Sequence, residues 1–599
     1  QDDVQGKLEN DHGNWLSGIN FIDSAHLDSQ KHLPSDVLNN KARNTYYFLP
    51  FLLGLLGFVF LSMKSERQTW VILVLFLFTG LALKIYLNER PFEPRERDYA
   101  LVGSFYAFTI WIGLGVYALF SAARKYIHPN IAATAATVLS LVAVPAVMAY
   151  QNWDDHDRSQ KYSAEFIADA YLESVAENKD AMIFTIGDND TFLLWYAQEI
   201  EGYRTDVRVI NTSLLQTDWY IDQMKRQAYQ STPIPGQLVH KQYAHGVREA
   251  IYYQKRTDNR WNIKDFVNWI TSDDPSTRSS RGVDEYKQDF YYYPTNKLRI
   301  PVNNENVLKS GIVKPEDADK IVDYIDITLP GAIDKVRIVM LDILANNDWK
   351  RPIYFTGGSM DSAEYLWMKD YLQLDGLVYK LVPIKTPIDK NNPYDMGRID
   401  SELMYNIVKR WTWGNMGKEA IYLDPETRKN SIIFRGNLAR LTEQLIAEGK
   451  TAKASEIIDI AMKNMPIDAY GYYFTLDPFI QGSYKVGKRE QARAIALQVI
   501  KKYQEELNYY THLPAGELNS NAKRIQYCID RYGEVVMLSE TLDKEFYTAQ
   551  WAIFKDKAGL FMGEKELEEY FKGAASQAAL DSLRNTLIDT TATSDSTEE

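Results

Sequence analysis

The sequence predicts a four-span α-helical transmembrane bundle followed by a soluble α/β domain and an α-helical repeat domain. Three observations predict it. Apolar residues concentrate between positions 45 and 149, a strand–turn–helix–strand pattern follows the last apolar run, and a repeating helical pattern begins near residue 431. A chain of 599 residues is too long for one core and should divide into several units of this kind. The mean hydropathy of −0.35 hides the unevenness.

Composition excludes several functions. A net charge of −13 argues against a nucleic-acid surface, where Lys and Arg would be in excess. The single cysteine, Cys528, excludes intramolecular disulfides and a cysteine-based metal cluster. No signal peptide precedes the first apolar run and the first residue is Gln1, so the sequence is expected to be the C-terminal part of a longer protein.

Residues 1–44 are polar and are expected to form a loop segment beside the bilayer. Trp15 and the Ile19–Ile22 stretch offer a short amphipathic anchor or a loop packed on the soluble part. The apolar runs fall at about 45–63, 70–87, 100–120 and 129–149, each close to the ~20 residues that cross a ~30 Å hydrocarbon layer as a helix. Only Lys84 interrupts them, near an end where its stem can snorkel to the surface. Gly54, Gly57, Gly80, Gly113 and Gly115 lie inside the runs, as expected where helices approach closely.

Between the second and third runs, residues 88–99 crowd together Glu89, Arg90, Glu93, Arg95, Glu96, Arg97 and Asp98. Charge of both signs beside lipid is costly unless it is paired or used. Arginine clamps a phosphate with two parallel hydrogen bonds, which makes Arg95 and Arg97 candidates for a phosphate site and Glu96 and Asp98 their supporting carboxylates. The alternative is an interfacial turn whose charges are solvated and neutralise one another. The cations near the membrane on this side (Lys41, Arg43, Arg90, Arg95, Arg97, Arg158 and Lys161) outnumber Lys64, Arg67, Arg124 and Lys125 on the other. By charge alone the soluble part leans towards the cytoplasm.

Residues 150–430 predict the α/β domain. A helix over 162–176 leads to a strand at Ala181–Ile186, a turn at 187–190, a helix over 191–201 and a strand at 206–211, which together form a parallel βαβ unit. Further strands are expected at 335–340, 352–356 and 379–384, while 230–330 reads as a long excursion of loops with some helix. Asp188 and Asp190 stand where the first strand meets its helix, the edge at which open α/β sheets bind ligands. They are candidates for holding sugar hydroxyls of an acceptor or a hard cation; capping of the helix by Asn189 or Asp190 explains the same residues without a ligand. The Asp154–Asp157 stretch meets no metal-ligand spacing and reads as a solvated helix start, so no metal is expected. Trp195, Trp219, Trp411 and Trp413 can stack on sugar rings or fill the core.

From residue 431 to about 575, Leu438, Leu441, Leu445, Gly449, Ala454, Ile458, Ala461 and Pro466 occupy the positions of a tetratricopeptide-like helix pair. Leu476, Phe479, Gly487, Ala492 and Ala496 repeat it more weakly, and such repeats offer a surface for a partner protein. Residues 576–599 are expected to form a disordered tail, whose last stretch, Asp589–Glu599, is Thr, Ser and acid without apolar content.

Several stretches together resemble the bacterial membrane family called glycosyltransferase family 117, or domain of unknown function 2723. They are Pro94–Tyr99 with Gly103–Tyr106, Asn152–Arg158, Gly187–Phe192, Trp195–Glu199, Arg204–Arg208, Thr217–Asp222 and Trp413–Met416. The similarity runs to about residue 560 and implies the C-terminal portion of a multi-pass inner-membrane protein of the Bacteroidetes-type envelope, related to protein O-mannosyltransferases. Such enzymes take a sugar from a polyprenyl-phosphate donor, without another cofactor, and pass it to a protein or glycan acceptor. They face the periplasm, which reverses the charge count for the 88–99 loop and the soluble domains. The family's usual catalytic carboxylate belongs to a loop near the N-terminus, so no catalytic residue is named in this sequence. The resemblance implies that Arg95 and Arg97 meet the donor phosphate. The rival expectation is a non-enzymatic membrane-anchored scaffold that binds partners through its repeats.

Overall fold

The computed structural model describes residues 16–27, 30–88, 97–281, 288–357, 367–387, 396–418 and 421–572. These fall into two units: one holds the described residues up to Gln160 together with those from Ala496 onward, and the other is Lys161–Ile495.

The first unit begins with a short helix, α1 (Asn20–His26), followed by the apolar helices. Phe48, in the left-handed region at φ 56°, and Pro50 start α2 (Leu49–Lys64), and the extended Ser65 ends it. With 16 residues, α2 is about 24 Å long and falls short of a ~30 Å hydrocarbon layer. Among the described residues, three helices are long and apolar enough to cross a membrane: α3 (Glu66–Leu87), α4 (Tyr99–Ala123, its first turn 3-10) and α5 (Pro129–His156). Four spans were expected, and the shorter α2 is the difference. By length and composition, these three helices mark a membrane protein.

Packing among these helices depends on absent side chains. A Cβ on Gly57 of α2 would lie 1.8 Å from the Trp111 carbonyl oxygen of α4, and one on Gly115 would lie 2.1 Å from the Leu53 carbonyl oxygen. Two glycines therefore let the backbones of α2 and α4 touch, the arrangement by which apolar helices gain dispersion contacts inside lipid. Next to the π-turn of α3 at Phe78–Ala82, the Ser104 hydroxyl donates to the Phe76 carbonyl at 3.1 Å.

In the second unit, α6 (Ser163–Glu173) precedes β1 (Met182–Thr185), α7 (Gly187–Glu199) and β2 (Arg208–Asn211). The strands β1 and β2 pair in parallel, Met182 opposite Arg208 and Thr185 opposite Asn211, so the expected βαβ unit is present. The region expected to be loops with some helix contains two further sheets. One has the order β5-β6-β3-β9, from β3 (Ala250–Tyr253), β5 (Arg278–Arg281), β6 (Gln288–Tyr293) and β9 (Ala332–Asp334). The other runs β4-β7-β8, from β4 (Trp261–Asn262), β7 (Lys297–Pro301) and β8 (Tyr324–Thr328). The helix α8 (Ile263–Thr271) buries Phe266, Val267 and Ile270 in the shared core.

Residues 335–340, expected as a strand, begin α9 (Lys335–Asn347). The Asp334 side chain accepts from the Arg337 N–H and caps this helix. Its residues are buried nearly all round, which removes the polar face that distinguishes a helix from a buried strand in sequence. After α9 come β10 (Ile353–Thr356), β11 (Leu372–Asp375) and β12 (Val378–Leu381). The main sheet has the order β11-β12-β10-β1-β2, with β10, β1 and β2 parallel and the β11–β12 hairpin antiparallel at one side.

Arginines hold the irregular chain around these sheets. Arg204 donates to the carbonyls of Leu172, Val175 and Ala176, and Arg208 to those of Arg226, Ser231 and Thr232. Arg248 reaches Ile270, Thr271 and Ser272, while Arg351 reaches Asp180 and Pro233. Each satisfies acceptors that no regular ladder would.

The helix α10 (Ser401–Arg410) leads to paired helices. The first pair is α11 (Pro425–Ala447) and α12 (Thr451–Asn464), joined through Gly449 at φ 74°. Leu438, Leu441 and Leu445 of α11 and Ala454, Ile458 and Ala461 of α12 are all buried between them and their neighbours. Then follow α13 (Asp477–Lys485), Gly487 at φ 83°, and the long α14 (Arg489–Thr511). Three more helices, α15 (Ala522–Met537), α16 (Lys544–Ala558) and α17 (Glu564–Lys572), pack on one another in the first unit, with Tyr532, Phe554 and Phe571 in ring contact.

Candidate functional site

The main sheet fixes where a ligand crevice can lie. The chain leaves β1 through α7 towards β2 on one side, and returns on the other side of β1 as β10. Connections that diverge from adjacent parallel strands open a crevice beyond their carboxyl ends. The last residues of the three parallel strands, Thr356, Thr185 and Asn211, are polar and fully buried there.

Their side chains build one network. Gly187, at φ 69°, turns the chain sharply from β1 into α7. The Thr191 hydroxyl donates to the Gly187 carbonyl at 2.7 Å and meets the Thr185 hydroxyl at 2.6 Å. The Asn211 amide donates to Thr191 Oγ1 at 2.9 Å and to the Gly187 carbonyl at 3.2 Å, which ties β2 to the same turn. From the neighbouring strand, the Thr356 hydroxyl donates to Asp190 Oδ2 at 2.7 Å. Burial pushes the Asp190 carboxyl above the usual aspartate range, and hydrogen bonds from Thr356 and the Ile186 backbone only partly oppose this. A carboxyl so placed holds its proton to higher pH than a solvated one, which suits proton transfer or hydrogen bonding to a hydroxyl.

The other candidates are placed differently. Asp188 is exposed in the first turn of α7 and does not share the contacts of Asp190, as expected for positions two apart on a helix. Arg97 is exposed just before the 3-10 turn Asp98–Leu101. Arg95, Glu96 and the side chain of Asp98 lie outside the described residues. Trp411 and Trp413 are buried against Phe434, so they pack rather than present a face, whereas Trp219 is exposed. In the 154–157 stretch, Asp155 is buried with His156 Nδ1 at 2.7 Å and the Asn44 amide at 3.0 Å. Among the described residues no three His, Cys, Asp or Glu side chains converge as metal ligands.

The sequence reading missed Thr356 and Asn211. Their only local signal is a polar residue closing an apolar strand, and Thr356 lies 166 positions from the carboxylate it meets.

The fold thus defines a membrane protein whose apolar helices are joined to a mixed α/β unit with a buried polar network at the switch point of its main sheet. A family model described as TMEM260-associated domain 2 matches residues 164–403, the stretch from α6 to the start of α10 that contains all three sheets. No curated protein and no solved structure matches the chain.

Proposed function

We propose that the chain is the C-terminal part of an integral membrane glycosyltransferase that takes a sugar from a polyprenyl-phosphate donor and passes it to a protein or glycan acceptor at the periplasmic face of the bacterial inner membrane. The observation that carries this reading is the match to TMEM260-associated domain 2 across the three-sheet unit of a chain with three helices long and apolar enough to cross a membrane. In this scheme Arg95 and Arg97 hold the donor phosphate, Glu96 and Asp98 orient them, and the crevice with Asp188 and Asp190 receives acceptor hydroxyls. The scheme requires no metal or cofactor.

The test is transfer of labelled sugar from polyprenyl phosphate by the full-length protein in membranes. Arg95→Ala with Arg97→Ala should abolish transfer, and undiminished transfer removes that loop from the mechanism. The tight packing of α11 on α12 favours a second reading, a tetratricopeptide-like platform for a partner protein. A specific partner recovered on residues 431–575 by pull-down, together with no sugar transfer by the full protein, would favour a scaffold.

A further inference from the structure

An open cavity of about 730 Å³ lies between the segment that precedes α2 and the last turns of α5. Its lining includes Lys41 and Arg43 on one wall and Ala149, Tyr150, Trp153 and Asp154 on the other. Hydrogen bonds fix the two walls to each other. The Asn44 amide donates to Asn152 Oδ1 at 3.1 Å and to Asp155 Oδ2 at 3.0 Å, and the Tyr46 hydroxyl donates to Asn152 Oδ1 at 2.8 Å.

The level of this cavity relative to the bilayer follows from helix length. With 28 residues, α5 is about 42 Å long and exceeds a ~30 Å hydrocarbon layer by two turns. Its apolar run ends near Ala149, and Tyr150 and Trp153, 84% and 71% exposed, sit where aromatic side chains meet headgroups. The same cavity is lined by the guanidinium of Arg43. Arg43 Nη2 donates to Gln30 Oε1 at 2.7 Å, but Nη1 is buried and has no hydrogen-bond partner. Asp23, the carboxylate that acts on Arg43 by charge, has its oxygens occupied by the Ser17 N–H and hydroxyl and the Gly18 N–H.

We infer that this cavity binds the phosphate of a membrane lipid, with the Arg43 guanidinium and the Lys41 ammonium as its cations and Tyr150 and Trp153 against the lipid's glycerol or first isoprene unit. Two cations outweigh the one carboxylate of the lining, Asp154. The chemistry is shared by a polyprenyl monophosphate and an anionic phospholipid. The site does not depend on sugar transfer, so loss of one reading leaves the other standing.

The experiment measures lipid binding to the full chain in neutral detergent by native mass spectrometry. The probes are a polyprenyl monophosphate, the uncharged polyprenol, phosphatidylglycerol and inorganic phosphate. The phosphate lipids should be retained and polyprenol should not. Lys41→Glu and Arg43→Gln should each weaken retention about tenfold or more, the usual consequence of losing a charge-assisted bond, whereas Lys64→Gln on the opposite loop should not. Preference for the polyprenyl monophosphate identifies a donor-type lipid, and equal retention identifies a headgroup clamp. If Arg43→Gln fails to fold, Lys41→Glu decides, because Lys41 makes no hydrogen bond among the described residues. Unchanged retention in a folded Lys41→Glu variant overturns the site, as does binding of inorganic phosphate with neither lipid retained.

Discussion

Substituting Gly57 by Ala tests whether the α2–α4 crossing is a backbone contact. The added methyl would lie 1.8 Å from the Trp111 carbonyl oxygen and 2.6 Å from the Gly115 nitrogen, where an ordinary contact is 3.4 Å or more. Both obstacles are backbone atoms of one helix and cannot rotate away, so the helices must part by roughly 1.5 Å along the crossing and lose dispersion contacts on both sides. Overpacking of this kind costs about 1–3 kcal/mol, and a rigid obstacle places Gly57→Ala near ~3 kcal/mol. Gly113 of α4 supplies the control, because a Cβ there meets nothing within 4 Å. Alanine is the better helix former by about 1 kcal/mol, so Gly113→Ala should be neutral or slightly stabilising. Unfolding of the full chain in mixed micelles by titration with a denaturing detergent gives both values. Equal stability of Gly57→Ala and Gly113→Ala would refute the crossing.

Three other outcomes follow from named groups. Because the Asp190 carboxyl is raised by burial, the folded state binds its proton more tightly than the unfolded state, and its contribution to stability falls as pH rises above the ordinary aspartate value of 3.8. Asp190→Asn should therefore gain stability relative to the native chain between pH 4 and pH 7, read as a shift in urea midpoint that vanishes at the acid end. At Asp424, burial would raise the carboxyl, but Lys161 and the N–H and hydroxyl of Thr427 outweigh it and hold the group at about 2. Its stabilisation is complete above 3.8 and lost as pH falls through about 2, so Asp424→Asn should cost about 2 kcal/mol at pH 7 and nothing below pH 2 in an acid titration. Arg435 is fully buried, with its pKa lowered by burial to about 10, and it donates to the Gly471 and Met465 carbonyls. Arg435→Leu strands both acceptors and should lower stability by roughly 2–4 kcal/mol in chemical denaturation.

The apolar runs and the first βαβ unit were legible because both are local patterns: hydropathy over a window, and Ala181–Ile186 followed by a Gly-led turn. The length of α2 was not, since it depends on where Phe48 turns left-handed and where Ser65 becomes extended. The sheets between residues 250 and 334 escaped notice because their strands are short and rich in Tyr and Arg. Their pairing joins positions as distant as Ile251 and Ile333, which no window contains. The same limit governs the crevice. Asp190 stands out at a strand–helix junction, but what makes its carboxyl unusual is burial beside Thr356, and that is a property of the sheet order.

Arginine shows why the candidate phosphate site could not be chosen from residue type. Sequence reading assigns arginines near a membrane to phosphates, since bidentate donors suit them. In the folded chain, Arg204, Arg208, Arg248 and Arg351 instead direct donors at backbone carbonyls of loops and helix ends. A Tyr- and Arg-rich excursion can be ordered without long strands because its own side chains replace the ladder. An arginine becomes a ligand site only where a donor remains after such bonds are made and a ligand can reach it. Arg435 fails the second condition, since its unpaired Nε is enclosed among packed helices. Arg43 differs from it in place: its guanidinium lines an open cavity at the headgroup end of α5, beside Lys41.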